Sequence, residues 1–140
     1  MQIMRIANKI IESDKLIYQD LSYQVNGILF TIHNEIGRYG NEKQYCDAIE
    51  AKLIQANIKY GREKEIPKSF TGELRGRNKV DFIIEDKIIL EIKAKRLIAR
   101  DEYYQSRRYL DAFNKKLCIL VNFRDRYLKP KRILNSSVSA

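Results

Sequence analysis

The sequence predicts an α/β domain, a central mixed four-stranded sheet flanked by helices. Three observations carry that prediction. The apolar period is helical up to about residue 56, alternating or continuous afterwards, and helical once more over 100–113. The elements follow in the order helix, helix, strand, strand, strand, helix, strand. The chain has 140 residues, which suits one hydrophobic core and not two, with no Pro-, Gly- or Ser-rich linker to divide it.

In the first helix Leu21, Val25, Ile28, Leu29, Ile32 and Ile36 recur at spacings of three and four, with Asp20 or Ser22 available as cap and Gly37 as terminator. A second helix spans about Glu42 to Ala56, because Tyr45, Ile49 and Leu53 share one stripe and Asn57 supplies a stop. Tyr60 to Ile66 alternates apolar and charged residues and ends at Pro67, the pattern of a strand exposed on one face. Lys79 to Ile84 and Lys87 to Ile92 are β-branched runs joined through Glu85 and Asp86, and so form a hairpin. Arg100 to Phe113 contains no breaker and reads as the third helix. Leu117 to Val121 is the most hydrophobic stretch, a strand buried on both faces, and Arg132 to Leu134 is a candidate extra edge strand. Residues 1–20 form an N-terminal extension, and Ser136 to Ala140 a frayed tail.

Composition narrows the function. At 44% hydrophobic and 32% charged, with no apolar run near the ~20 residues that cross a bilayer, the chain does not read as a membrane protein. No secretory signal is evident at the N-terminus, so the cytoplasm is the expected compartment. Two cysteines, Cys46 and Cys118, are too few for a disulfide scaffold or a thiolate zinc site and are core fillers among apolar neighbours. The 27 Lys and Arg against 18 Asp and Glu give a net charge of +9. Of that, residues 1–70 supply +1 (10 basic, 9 acidic) and residues 71–140 supply +8 (17 basic, 9 acidic). The imbalance points to a polyanionic partner met by the second half, although excess Lys and Arg can also serve solubility alone.

Two carboxylates break the hairpin pattern. Asp81 interrupts VDFII and Glu91 interrupts ILEIK, among side chains a strand would bury. With a three-residue loop, Glu85 to Lys87, Ile84 faces Ile88 and Asp81 falls opposite Glu91 on one face. Lys93 lies two residues beyond Glu91 and shares that face. Paired carboxylates repel unless a cation sits between them. Hard oxygen ligands suit Mg²⁺ or Mn²⁺, and a water activated by the ion, with Lys93 orienting it or neutralising developing charge, could attack a phosphodiester. The competing reading is a structural ion pair in which Lys93 balances Glu91.

VDFII followed by ILEIKAK closely resembles the D…ExK core of the PD-(D/E)xK nuclease superfamily, here Asp81, Glu91 and Lys93 with nine residues between the two acids. The surrounding chain resembles the GxxExxY branch: TIHNEIG, NEKQYCDAIEAKL, the hairpin, YYQSRRYL, LVNFR and KRIL follow in the family's order from about Tyr23 to Leu134. One feature departs from that pattern. The family places Gly three residues before the Glu, whereas Gly40 is two and Gly37 five residues before Glu42, although Glu42 and Tyr45 keep their spacing. The resemblance implies a restriction-endonuclease-like core acting on nucleic acid, DNA above all. It implies Asp81, Glu91 and Glu42 as ligands of Mg²⁺ or Mn²⁺, with catalytic roles for Lys93 and for Gln105 on the following helix. Glu42 otherwise serves the helix dipole, and Gln105 is otherwise a solvated helix residue. Lone His33 reads as a packing or capping residue.

Lys79, Lys95, Arg96, Arg100, Arg107 and Arg108 surround this constellation, with Tyr103 and Tyr104 interleaved. Phosphates and exposed bases are what such residues bind, so they are the candidate nucleic-acid contacts. A non-catalytic nucleic-acid-binding module of the same fold is the alternative function, and a homodimer is compatible with either.

Overall fold

The computed structural model describes residues 17–74 and 78–135. Residues 1–16 of the expected N-terminal extension and the Ser136 to Ala140 tail lie outside the described residues. Helix α1 runs Gln19–Ile36 and α2 Glu42–Gln55. Strand β1 is Tyr60–Glu65, β2 Lys79–Ile84 and β3 Ile88–Lys93. Helix α3, Arg100–Phe113, leads to β4, Leu117–Asn122, and β5, Lys131–Leu134. No helix among the described residues is long and apolar enough to cross a membrane.

The helix ends follow from local chemistry. Gly37, at φ 83°, closes α1 by donating its N–H to the His33 carbonyl at 2.9 Å. Asn41 caps α2 by accepting the Gln44 N–H at 2.8 Å. Asn57 takes φ 55° just after α2, and Ile58 N–H reaches back to the Leu53 carbonyl at 3.0 Å, the Schellman closure that a left-handed Asn permits.

The sheet has five strands in the order β1-β2-β3-β4-β5, not the four expected as its core. All neighbours are antiparallel except β3 and β4, which are parallel and joined through α3. The fifth strand exists because β4 is buried along its whole length, so its outer edge needs backbone partners. Leu117 to Leu120 find them in the register Leu117↔Leu134 to Leu120↔Lys131.

Helices α1 and α2 cover one sheet face. Val25, Leu29, Ile32, Ile49 and Leu53 meet Phe82, Ile84, Leu90 and Ile119 there. Helix α3 covers the other face, where Tyr109 and Leu110 meet Ile83, Ile89 and Cys118. The central strands β3 and β4 are buried on both faces, as expected of a sheet covered by helices on either side.

Tyr45 explains the altered loop before α2. It is buried and stacked on Phe123 at 4.1 Å between ring centroids. Its hydroxyl donates to the Gly37 carbonyl at 2.6 Å and accepts the Gly40 N–H at 2.9 Å, so one phenol ties both glycines. A Cβ on Gly40 would stand 2.9 Å from Tyr45 Cζ and 2.8 Å from Gln44 Oε1. Gly40→Ala is therefore expected to cost about 1–3 kcal/mol in urea unfolding, and an unchanged midpoint would refute this role for Gly40.

Candidate active site

The β2–β3 turn sets the geometry. Glu85 and Asp86 take φ 53° and 55°, and Lys87 N–H closes the turn on the Ile84 carbonyl at 2.9 Å. The pairing then runs Ile84↔Ile88, Ile83↔Ile89 and Phe82↔Leu90, the three-residue-loop register expected from the sequence. One step further, Asp81 faces Glu91, and there side chains replace the backbone ladder. Asp81 N–H donates to Glu91 Oε1 at 3.0 Å, and Ile92 N–H donates to Asp81 Oδ2 at 2.7 Å. Each carboxylate thus fills a ladder position that a carbonyl would otherwise occupy.

The strands deform around this point. Strict alternation would send Val80 to the same face as Phe82, yet Val80 packs with Ile83 and Ile89 beneath α3. On the other side of β2, Glu63 occupies the position opposite Asp81 between the pairs Arg62↔Phe82 and Lys64↔Val80, and takes φ 53°. Left-handed backbone at a glutamate costs of order 1–3 kcal/mol. Irregularity on two strands coincides with the two acids.

Burial and mutual repulsion raise both carboxyl groups. Glu91 is 4% exposed, and its pKa is pushed up to about 8, by burial first and then by the charge of Asp81. Asp81 is raised chiefly by burial, against the pull of the Ile92 N–H and Lys93. Glu42 adds negative charge to both. Without a cation, two such groups do not ionise together at neutral pH.

Lys93 ends β3, half-buried, and its ammonium makes no hydrogen bond or ion pair among the described residues. Its charge nonetheless reaches Asp81, Glu91 and Glu102, lowering each. The backbone beneath it is fixed by Asn122, which faces Lys93 across the parallel β3–β4 pair. Asn122 is 3% exposed. Its Oδ1 accepts Lys95 N–H at 3.0 Å, its Nδ2 donates to the Lys95 carbonyl at 2.7 Å, and Phe123 N–H donates to the Lys93 carbonyl at 2.9 Å. Sequence reasoning missed Asn122, although a polar residue ending the apolar run LCILV was the available clue. Asn122→Ala removes the side-chain partner of both the N–H and the carbonyl of Lys95, two part-buried bonds. A loss of about 2–3 kcal/mol in urea unfolding is expected, and a change below about 0.5 kcal/mol would contradict it.

The remaining sequence candidates divide. Glu42 is exposed at the start of α2 and reaches the pair through its charge. Gln105 is half-buried on α3 and acts on the Tyr109 hydroxyl, which is raised first by burial and then by the charge of Glu91. Gln105 thus lies beside Tyr109, and no hydrogen bond between it and Asp81, Glu91 or Lys93 is present among the described residues. Helical period sets Arg108, three residues on, along the same flank, while Arg100 and Arg107 turn toward the outer face with Tyr104. Arg96, Arg100, Arg107, Arg108 and Lys79 are exposed, and their side chains make no hydrogen bond or ion pair among the described residues. Lys95 differs: its ammonium is paired with Glu102, whose other oxygen accepts the Ala99 N–H at 2.7 Å. Its charge is already engaged in holding the start of α3. His33 packs, as expected, with Nε2 bonded to the Asp125 carbonyl at 2.9 Å.

No group of three or more His, Cys, Asp and Glu side chains among the described residues is arranged to hold a metal ion. The carboxylate pair still fits Mg²⁺, which commonly takes one or two carboxylates and leaves the rest of its shell to water and phosphate. One oxygen of each acid is held by a backbone N–H. The other, Asp81 Oδ1 or Glu91 Oε2, has no such partner and is not sealed in, because Asn26 Oδ1 is the one buried side-chain polar atom without a partner among the described residues. Two partly desolvated carboxylate oxygens with no ion-pair partner among the described residues are of the donor type that hard divalent ions take.

A family model described as the PD-(D/E)XK nuclease superfamily matches residues 19–133. The match spans every element from α1 into β5, with Asp81, Glu91 and Lys93 inside it. No curated protein and no solved structure matches the chain.

Proposed function

The chain belongs to the PD-(D/E)XK nuclease superfamily, and from that premise we propose that it is a metal-dependent nuclease hydrolysing phosphodiester bonds, with DNA as its preferred substrate. Within the superfamily we place it in the GxxExxY branch, on the spacing of Glu42 and Tyr45. The observation that carries the reading is the pair of half-buried Asp81 and buried Glu91, both raised in pKa, beside an ammonium with no ion pair. A purely structural pair would have Lys93 salt-bridged to an acid, and none of the ion pairs among the described residues involves it.

Asp81 Oδ1 and Glu91 Oε2 would hold Mg²⁺ or Mn²⁺, and Glu42 would strengthen the negative field around it. When bound, the ion supplies positive charge to the phosphate and lowers the pKa of a water molecule. Lys93 orients that water or neutralises charge on the phosphoryl oxygens, an interaction that strengthens as the transition state forms. Gln105 offers an amide to the water or to a phosphate oxygen. Arg96 and Arg108 bind the flanking backbone, and Arg100 and Arg107 extend the positive field. Cytoplasmic location and a homodimer belong to the same proposal.

Incubation of wild type and Asp81→Asn with single- and double-stranded DNA and RNA in Mg²⁺ and Mn²⁺ tests this. Wild type is expected to cut, and the variant to lose about 100-fold or more in rate. Absence of cutting by wild type on every substrate would leave the fold as a binding module and overturn the nuclease reading.

A further inference from the structure

A second basic and aromatic surface lies outside the residues discussed so far. Tyr39, in the α1–α2 loop, is 75% exposed, unusual for an aromatic ring on a loop that is otherwise pinned down. Two guanidinium groups lie over it: Arg38 at 5.1 Å and Arg124 at 4.9 Å from the ring centroid. Arg38 also donates through Nε to the Arg124 carbonyl at 2.9 Å, so the α1–α2 and β4–β5 loops are joined beneath the ring. Arg126 lies over a second exposed ring, Tyr127, at 5.4 Å. Arg38, Arg124 and Arg126 form no ion pair among the described residues, and Asp125 is the only acid between Asn122 and Lys129.

This surface is built into the site. Arg124 N–H bonds Asn122 Oδ1 at 3.3 Å, the same oxygen that accepts Lys95 N–H. The hydroxyl of Tyr45 fastens Gly37 and Gly40 on either side of Arg38 and Tyr39, two residues before Glu42. The loop that carries the ring is thus tied through Arg124 and Asn122 to the backbone just after Lys93, and it leads directly into Glu42. An exposed aromatic ring held by cations, with guanidinium charges that form no ion pair among the described residues beside it, matches a nucleotide with an unpaired base: the base stacks on tyrosine or arginine while its phosphate meets the adjacent charge. A base inside a duplex offers no such face.

We propose that Tyr39, with Arg38 and Arg124 packed against its ring, is a stacking platform for an unpaired nucleobase adjoining the cleaved phosphate, so that the substrate is single-stranded or unpaired at the site. The proposal rests on the nuclease reading for the word cleaved, and on the loop geometry alone for binding.

Fluorescence anisotropy in EDTA, with an oligothymidylate, an oligouridylate and a blunt DNA duplex, measures binding without cleavage. Tyr39→Ala is expected to weaken single-strand binding about tenfold, with Tyr39→Phe close to wild type and the duplex changed by less than about twofold. DNA and RNA arms that respond alike assign the platform to unpaired bases generally, and a response confined to one names the sugar as well. Tyr39→Ala that binds single strands as wild type does, or that weakens duplex binding equally, overturns the proposal. Wild type that cuts while Tyr39→Ala binds normally removes the platform and leaves the nuclease. Wild type that binds single strands through Tyr39 but never cuts removes the nuclease and leaves the platform.

Discussion

Replacing Glu91 with glutamine is expected to stabilise the metal-free protein in mild alkali and to abolish metal-dependent cleavage. The folded pKa of Glu91, about 8, lies above the ordinary value of 4.5. The folded state therefore holds a proton that the unfolded chain releases over that window. Stability from this group is fully present below about pH 4.5 and is lost as pH rises through about 8. Glutamine keeps the acceptor for the Asp81 N–H, never ionises and removes the repulsion with Asp81. The gain at about pH 8 is of order a few kcal/mol, read by urea unfolding across pH. Saturating Mg²⁺ should flatten the wild-type slope, since bound cation replaces the proton. A wild-type profile that is flat without metal, or a variant no more stable than wild type, would contradict this. Opposite signs for stability and activity at one residue are what distinguish a functional carboxylate from a structural one.

Lys93→Ala is expected to cost about 100- to 1,000-fold in cleavage rate, the scale of removing one charge-stabilising donor from a transition state. The fold should survive, because the Lys93 ammonium makes no hydrogen bond or ion pair among the described residues and its backbone is held independently by Asn122 and Phe123. The pH dependence separates this from a packing defect. The Lys93 charge lowers both Asp81 and Glu91, so its removal raises both further and should move the alkaline-going rise in any residual activity to higher pH. A variant that cuts at the wild-type rate, or whose pH profile is unmoved, would exclude Lys93 from the chemistry.

Much of this was legible in the sequence because a single physical signal dominated. The Asp81 and Glu91 pairing followed from a loop length and a period of two, and the structure keeps that register. Helix α3 occupies Arg100–Phe113, the stretch free of breakers. Other features depend on contacts between distant segments. β5 is four residues with half-exposed side chains and exists through its pairing to β4. Asn122 matters through Lys95, 27 residues away in sequence. The tie from Tyr45 to Gly37 and Gly40 needs the folded loop, as does the placement of Arg38 and Arg124 over Tyr39. In sequence Lys95 is one more basic residue, and only the fold brings Glu102 to it.

Calorimetric titration of Mg²⁺ or Mn²⁺ at about neutral pH, in two buffers of different ionisation enthalpy, tests the central claim most directly. Glu91, with a pKa about 8, is largely protonated before metal arrives, so binding should release close to one proton per site. The measured heat should then depend on the buffer, and both binding and proton release should disappear in Asp81→Asn and Glu91→Gln. Binding that survives both substitutions, or no binding by wild type at millimolar metal, would show that the carboxylate pair is not a metal site.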